Sequence, residues 1–168
     1  MKTGLLAGLV LLMCSSLIVS TASAAADNDN NTLVPNNKRL NDGVLANVYT
    51  VQHQAGCTND VKMNRQLQTA AQWHSIDVLS NRALVGDLGS DGSSAQSRSE
   101  AAGFRGQVAQ TVAVNPALAI SGVEIINRWY HDPVAFDVMS DCSYTEMGVW
   151  SVNSLDRSLV VAVYGRPE

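Results

Sequence analysis

The sequence predicts an α+β domain, with helices layered on a small antiparallel sheet. Three observations predict it. Three segments carry apolar residues at helical spacing. The C-terminal part switches to β-branched runs joined by a polar link. Between these parts lies Leu84 to Val114, which combines Gly/Ser/Asp turn formers, a short helical pattern and a β-rich run.

The N-terminus has Lys2, an apolar run from Leu5 to Val19, and then Ala22-Ser23-Ala24. That order reads as a secretory signal peptide over residues 1–24, with small residues at the cleavage site. The run is short for a membrane span, which takes about 20 apolar residues; an uncleaved N-terminal anchor is the alternative. Cys14 raises the question of lipid attachment, but Met13 is larger than the residue expected before a lipidated cysteine. Residues 25–37, polar and Asn-rich, are expected as a flexible arm.

Pro35 and Asn36-Asn37 signal the start of the first helix, whose apolar face is Leu40, Val44, Leu45, Val48, Tyr49 and Val51. Ala55-Gly56-Cys57 ends it. Asn64 is placed to cap a second helix with Leu67, Ala70, Ala71, His74, Val78 and Leu79 on one face and Trp73 and Ile76 at its flanks. A short helix over Ser93 to Ala102 is closed by Gly103, and a strand is expected over Gln110 to Val114. Pro116 is read as opening a further helix with Leu118, Ile120, Val123, Ile126, Trp129 and Tyr130 inward. Asp132-Pro133 breaks it, and Val134 to Met139 reads as an extra turn. Two β-rich runs follow, from Met147 to Val152 and from Leu159 to Tyr164. Asn153 to Arg157 joins them as a hairpin.

At 168 residues the chain predicts one domain, over 38–168. The formal charge is −4, and it becomes one unit more negative if Lys2 leaves with the signal segment. A mildly acidic chain is poorly suited to neutralising phosphates, so no nucleic-acid partner is expected. No run after the first is long and apolar enough for a transmembrane segment. Beyond Cys14 the cysteines are Cys57 and Cys142. An even count in an exported chain suggests a disulfide; two buried free thiols are the alternative. Neither has the close Cys or His spacing of a zinc ligand pair.

Motifs for chemistry are few. There is no Gly-x-Ser-x-Gly elbow, HExxH helix or P-loop. His74, on an apolar helix face, reads as a buried histidine holding a backbone or carboxylate group, against a ligand role. His131 falls at a helix end, where the dipole favours it; His53, near the end of the first helix, needs no special account. Asp87 and Asp132 are the one candidate carboxylate pair for acid–base work, although both stand in turn contexts. Asp91 is expected to close its Gly-rich turn, and Arg98 to pair with an acidic group and pin the loop.

The order of these pieces resembles the CAP superfamily, or SCP domain, in its small bacterial form. The residues that carry the resemblance are Ala55-Gly56-Cys57, Ala70-Ala71 through His74 to Asp77-Val78, and Gly89-Ser90-Asp91-Gly92-Ser93 followed by Arg98 and Ala102-Gly103-Phe104. Ile126-Asn127-Arg128-Trp129, Met147-Gly148-Val149 and Val163-Tyr164-Gly165 complete it. It covers about residues 38–165 and implies an α-β-α sandwich with a central antiparallel sheet.

The cleft positions depart from the family pattern. Asp87 stands where a His usually precedes the Gly/Ser turn, Gln110-Thr111 replaces Glu-Asn, Asp132 replaces Ser or Glu, and Ala135 takes a second His position. In family members two His and two acidic groups can hold a divalent cation. The set here, Asp87, Gln110 and Asp132 with His131 adjacent, is poor in imidazole, so no metal and no other cofactor is expected. The resemblance therefore implies a secreted or envelope-held domain of non-enzymatic type. It would bind a lipid or hydrophobic ligand, or an envelope or host-surface partner. The alternative is an envelope-directed hydrolase using Asp132, Asp87 and His131.

Overall fold

The computed structural model describes residues 37–84 and 86–168. The expected signal peptide, Cys14 and nearly all of the expected arm lie outside these residues. The elements run α1 (Asn37–Gln54), β1 (Lys62–Met63), α2 (Arg65–Ser80), α3 (Ala95–Ala101), β2 (Gly106–Asn115), α4 (Gly122–His131), α5 (Pro133–Ser140), β3 (Glu146–Ser154) and β4 (Arg157–Pro167).

One sheet of order β1-β3-β4-β2 holds the domain together. β4 pairs antiparallel with β3 on one side and β2 on the other. The β3–β4 link is the expected hairpin, pairing Ser154 with Arg157 across Leu155-Asp156. The sheet is mixed rather than wholly antiparallel, because β1 adds two residues parallel to β3. The cause is local. Cys57 is bonded to Cys142, with Cα atoms 5.2 Å apart, so the chain leaving α1 is delivered beside residues 145–147. There Lys62 N–H donates to Thr145 O and Asn64 N–H to Met147 O.

Each face of the sheet carries its own core, which makes the predicted sandwich. On one side Val44 and Val48 of α1, Ile125 and Trp129 of α4 and Met139 of α5 pack on Val149, Ala162 and Tyr164. On the other side Leu67, Ala71 and Val78 of α2 pack with Phe104 on Leu159, Val161 and Val163. Alternate β4 residues therefore face opposite cores, and every residue from Leu159 to Tyr164 is buried. That double burial explains why β4 is an unbroken apolar run instead of an alternating one. α2 lies close on the sheet at Gly148, where a Cβ would overlap the Gln68 amide nitrogen.

α4 departs from the expected helix. It begins at Gly122 rather than at Pro116, and its buried residues are Ile125 and Trp129. Val123 and Tyr130, expected inward, are 73% and 49% exposed, and Ile120 is buried ahead of the helix. Ser121 decides the start: its Oγ accepts from Glu124 N–H at 3.1 Å, and Ser-x-x-Glu is the stronger N-terminal signal. The segment expected as an extra turn after Asp132 is a full helix, α5. Asp132 caps it, with Oδ1 accepting from Val134 N–H and Ala135 N–H, and Pro133 stands in its first turn.

Candidate functional site

β2 is an edge strand, and a cleft runs along its open side. Antiparallel pairing with β4 turns alternate backbone groups of β2 outward. Side chains occupy several of them. Gln96 Nε2 donates to Gly106 O, and Gln96 Oε1 accepts from Val108 N–H, so one amide imitates a neighbouring strand. Trp129 Nε1 donates to Val112 O, and Arg128 Nη1 to Val114 O. Between these closures lies a cavity of about 450 Å3, bounded by the end of α2, the loop after it, β2, α4 and the start of α5. Val78, Leu84, Val112, Val114, Trp129 and Val134 supply apolar wall; Asp87, Gln110, Asp132, Arg82 and Arg157 supply the polar groups.

The loop that carries Asp87 is clamped from two helices. His74, wholly buried on α2, donates through Nε2 to Gly86 O at 2.9 Å. A carbonyl only accepts, so this bond fixes the tautomer, with Nδ1 as the unprotonated nitrogen. Burial lowers the His74 pKa, and the nearby Arg98 charge adds to this against the pull of Asp77 and Asp87. Asp77, one turn along, accepts from Ser90 N–H and Ser90 Oγ; burial works to raise its pKa, but these bonds prevail and hold it below the usual carboxylate range. Arg98 of α3 donates to Ser93 O, Asp87 O and Gln110 Oε1. The expected carboxylate partner is thus replaced by carbonyls: a planar fork of N–H groups suits three backbone and amide oxygens around one bend. Asp91 closes its turn as expected, accepting from Ser93 N–H at 2.8 Å.

Three of the four sequence candidates meet in the cleft. Gln110 Nε2 donates to Asp87 Oδ1 at 3.1 Å, and Asp132 lies across the cavity at the joint of α4 and α5. His131 does not line it; its Nδ1 donates back to Asn127 O and its ring stands edge-on to Tyr130. His53 pairs with Asp60 at the far end of α1. Sequence reasoning missed Arg157 and Arg82. By sequence Arg157 falls in a polar link, yet it is 9% exposed, with Nη1 donating to Val78 O at 3.0 Å. The available signal was a cation at the head of the apolar run that becomes the central strand.

No protein-family model matches the sequence, and no curated protein sequence does either. Solved structures do match. An outer surface protein from Borrelia burgdorferi aligns with a TM-score of 0.63 at 13% identity, covering 74% of this chain and 90% of that one. An extracellular protein containing a SCP domain, from Bacillus anthracis, aligns at 0.65 and 15% identity. That match covers 77% of this chain but only 41% of the Bacillus chain, so the present sequence spans well under half of that protein. NaASP2, solved with Zn2+, aligns at 0.53 and 8% identity over 79% of this chain and 84% of that one.

Zinc does not suit the cleft found here. Its donors are two carboxylates and a neutral amide. Asp87 Oδ1 is engaged by Gln110, Asp132 Oδ1 by the α5 amides, and the nearest imidazole in sequence faces away. Among the described residues no group of three His, Cys, Asp or Glu side chains is placed to hold a metal. Borderline-soft Zn2+ favours nitrogen and sulfur ligands in a closed tetrahedron, which this set lacks. With helices on both faces of one four-stranded sheet, and with these solved structures overlaying it, the chain has the fold of the SCP domain, that of the CAP superfamily.

Proposed function

We propose that this is an extracytoplasmic binding domain of non-enzymatic type, and that the β2 cleft takes an amphipathic organic ligand. One observation carries the reading: the cleft has an open volume and an apolar wall, and each of its carboxylates has one oxygen committed to a structural hydrogen bond. Pockets of this size, mostly apolar with a few fixed polar groups, are the usual form of small-ligand sites. The location draws on the signal-like N-terminus, the Cys57–Cys142 disulfide and the names of the Borrelia and Bacillus neighbours, an outer surface and an extracellular protein. No described helix is long and apolar enough to cross a membrane. The hydrolase alternative draws less support, because Asp132 and Asp87 share the cleft without His131.

The test is a titration of the 15N-labelled protein with sodium dodecanoate and with a randomised tetrapeptide mixture. Binding at the cleft shifts the Trp129 indole and the Gln110 and Val112 amides. If no cleft resonance moves with either probe, the binding reading is wrong.

A further inference from the structure

The cleft holds carboxylates and a guanidinium that are not bonded to one another. Asp87 is bonded to Gln110, while Arg157 enters next to Ser158, the partner of Asn115. The Arg157 Nη1 is held at Val78 O, on the turn of α2 that follows His74. Beside Asp87 stands Arg98, spent on Asp87 O and Gln110 Oε1, and Arg82, the other cation that lines the cleft with Arg157, is already paired with Asp156 at 2.7 Å.

Arg98 and Arg157 are both buried without a carboxylate partner, but Arg98 already donates to four oxygens, whereas Arg157 does not. It is more than nine-tenths buried and donates to a single backbone carbonyl. It has no ion pair among the described residues. A buried cation without a carboxylate is costly to keep. Its other N–H groups are not sealed away from solvent, and the cavity is the space it lines. The edge of β2 adds a third feature. One outward group each at Gly106 (C=O), Val108 (N–H), Val112 (C=O) and Val114 (C=O) is taken by a side chain. By the same alternation Gln110 also turns its N–H and C=O outward, and no described side chain bonds them.

We propose that the occupant of this cleft is a short extended peptide with free ends, its carboxylate on Arg157, its ammonium toward Asp87 and Asp132, and its backbone paired with β2 at Gln110. The ligand class follows from the chemistry. A guanidinium fork takes a carboxylate in two parallel bonds. Asp87 and Asp132 each use only Oδ1 within the protein, which leaves the second oxygen for an ammonium. An open strand edge pairs with extended main chain, and the apolar wall takes side chains.

This deepens the binding reading above and rests on it, so the experiment separates the two. The purified, oxidised protein is incubated with the randomised tetrapeptide mixture carrying free ends, with its C-amidated form and with its N-acetylated form; retained peptide is measured by ultrafiltration and mass spectrometry. Free-ended peptides are expected to be retained at least tenfold more than either capped form. Arg157→Gln removes the preference for a free carboxylate, and Asp87→Asn weakens that for a free ammonium. Should Arg157→Gln fail to fold, Arg157→Lys, which keeps the charge and loses the fork, shows a partial loss of that preference. Equal retention of free and capped peptides overturns the proposal. Dodecanoate binding at the cleft without any peptide retention also overturns it, while leaving the cleft a ligand site.

Discussion

His74 and Arg98 together position the loop that lines one side of the cleft, and each makes a testable claim. His74 is kept neutral by burial. In the unfolded chain it takes up a proton near its ordinary value of 6.5, whereas the folded state resists protonation to lower pH. Below that value the unfolded state binds more protons, so stability falls as pH drops through the window. Urea unfolding at pH 7.5 and pH 5 checks this: His74→Gln, which keeps an N–H donor for Gly86 and does not titrate, is expected to lose less stability across the interval than the wild type. Arg98→Lys removes a fork that reaches four oxygens at once. Bonds from a charged group contribute roughly 1.5–3 kcal/mol each, so a cost of about 2 kcal/mol or more is expected, with faster amide exchange over residues 86–93. The structural role of His74 was legible from its place on an apolar helix face. The carbonyl partners of Arg98 were not, because they come from residues brought together only by the folded loop.

α2 approaches β3 so closely that Gly148 has backbone, not side chains, above it. Gly148→Ala is expected to cost about 3 kcal/mol, since overpacking against main chain has no rotamer to relax into; a thermal melt measures it. The caps act at the same scale. Ser121 starts α4, and Ser121→Ala is expected to cost about 1 kcal/mol, read from the urea midpoint. α1 and α2 were legible because each has one continuous apolar stripe and α2 has Asn64 as a cap, with Oδ1 accepting from Gln66 N–H and Leu67 N–H. α4 was not, because Leu118, Ile120 and Val123 continue a helical period through a loop, and only Ser121 marks the true start. The short β1 left no signal, since two residues have no period; its place is set by the neighbouring disulfide.

At the scale of the molecule, Cys57–Cys142 closes a loop with a sequence separation of 85 residues. Chain entropy assigns such a closure about 4.5 kcal/mol. The double substitution Cys57→Ser with Cys142→Ser is expected to lower the melting temperature accordingly, by differential scanning calorimetry. The layered class and the cysteine pair could be read from sequence because burial leaves a periodic mark and an even cysteine count suggests a pair. The meeting of Arg157 and Asp87 in one cleft could not, since it depends on which strands become neighbours. That strand order has a kinetic consequence. β4 lies between β3 and β2, yet it follows every other element along the chain. During synthesis the two flanking strands wait for their shared neighbour until residues 157–167 emerge, and a chain stopped before Arg157 should show no cooperative melt by circular dichroism. A polypeptide built this way stays threadable throughout its manufacture and locks only after its central strand is delivered.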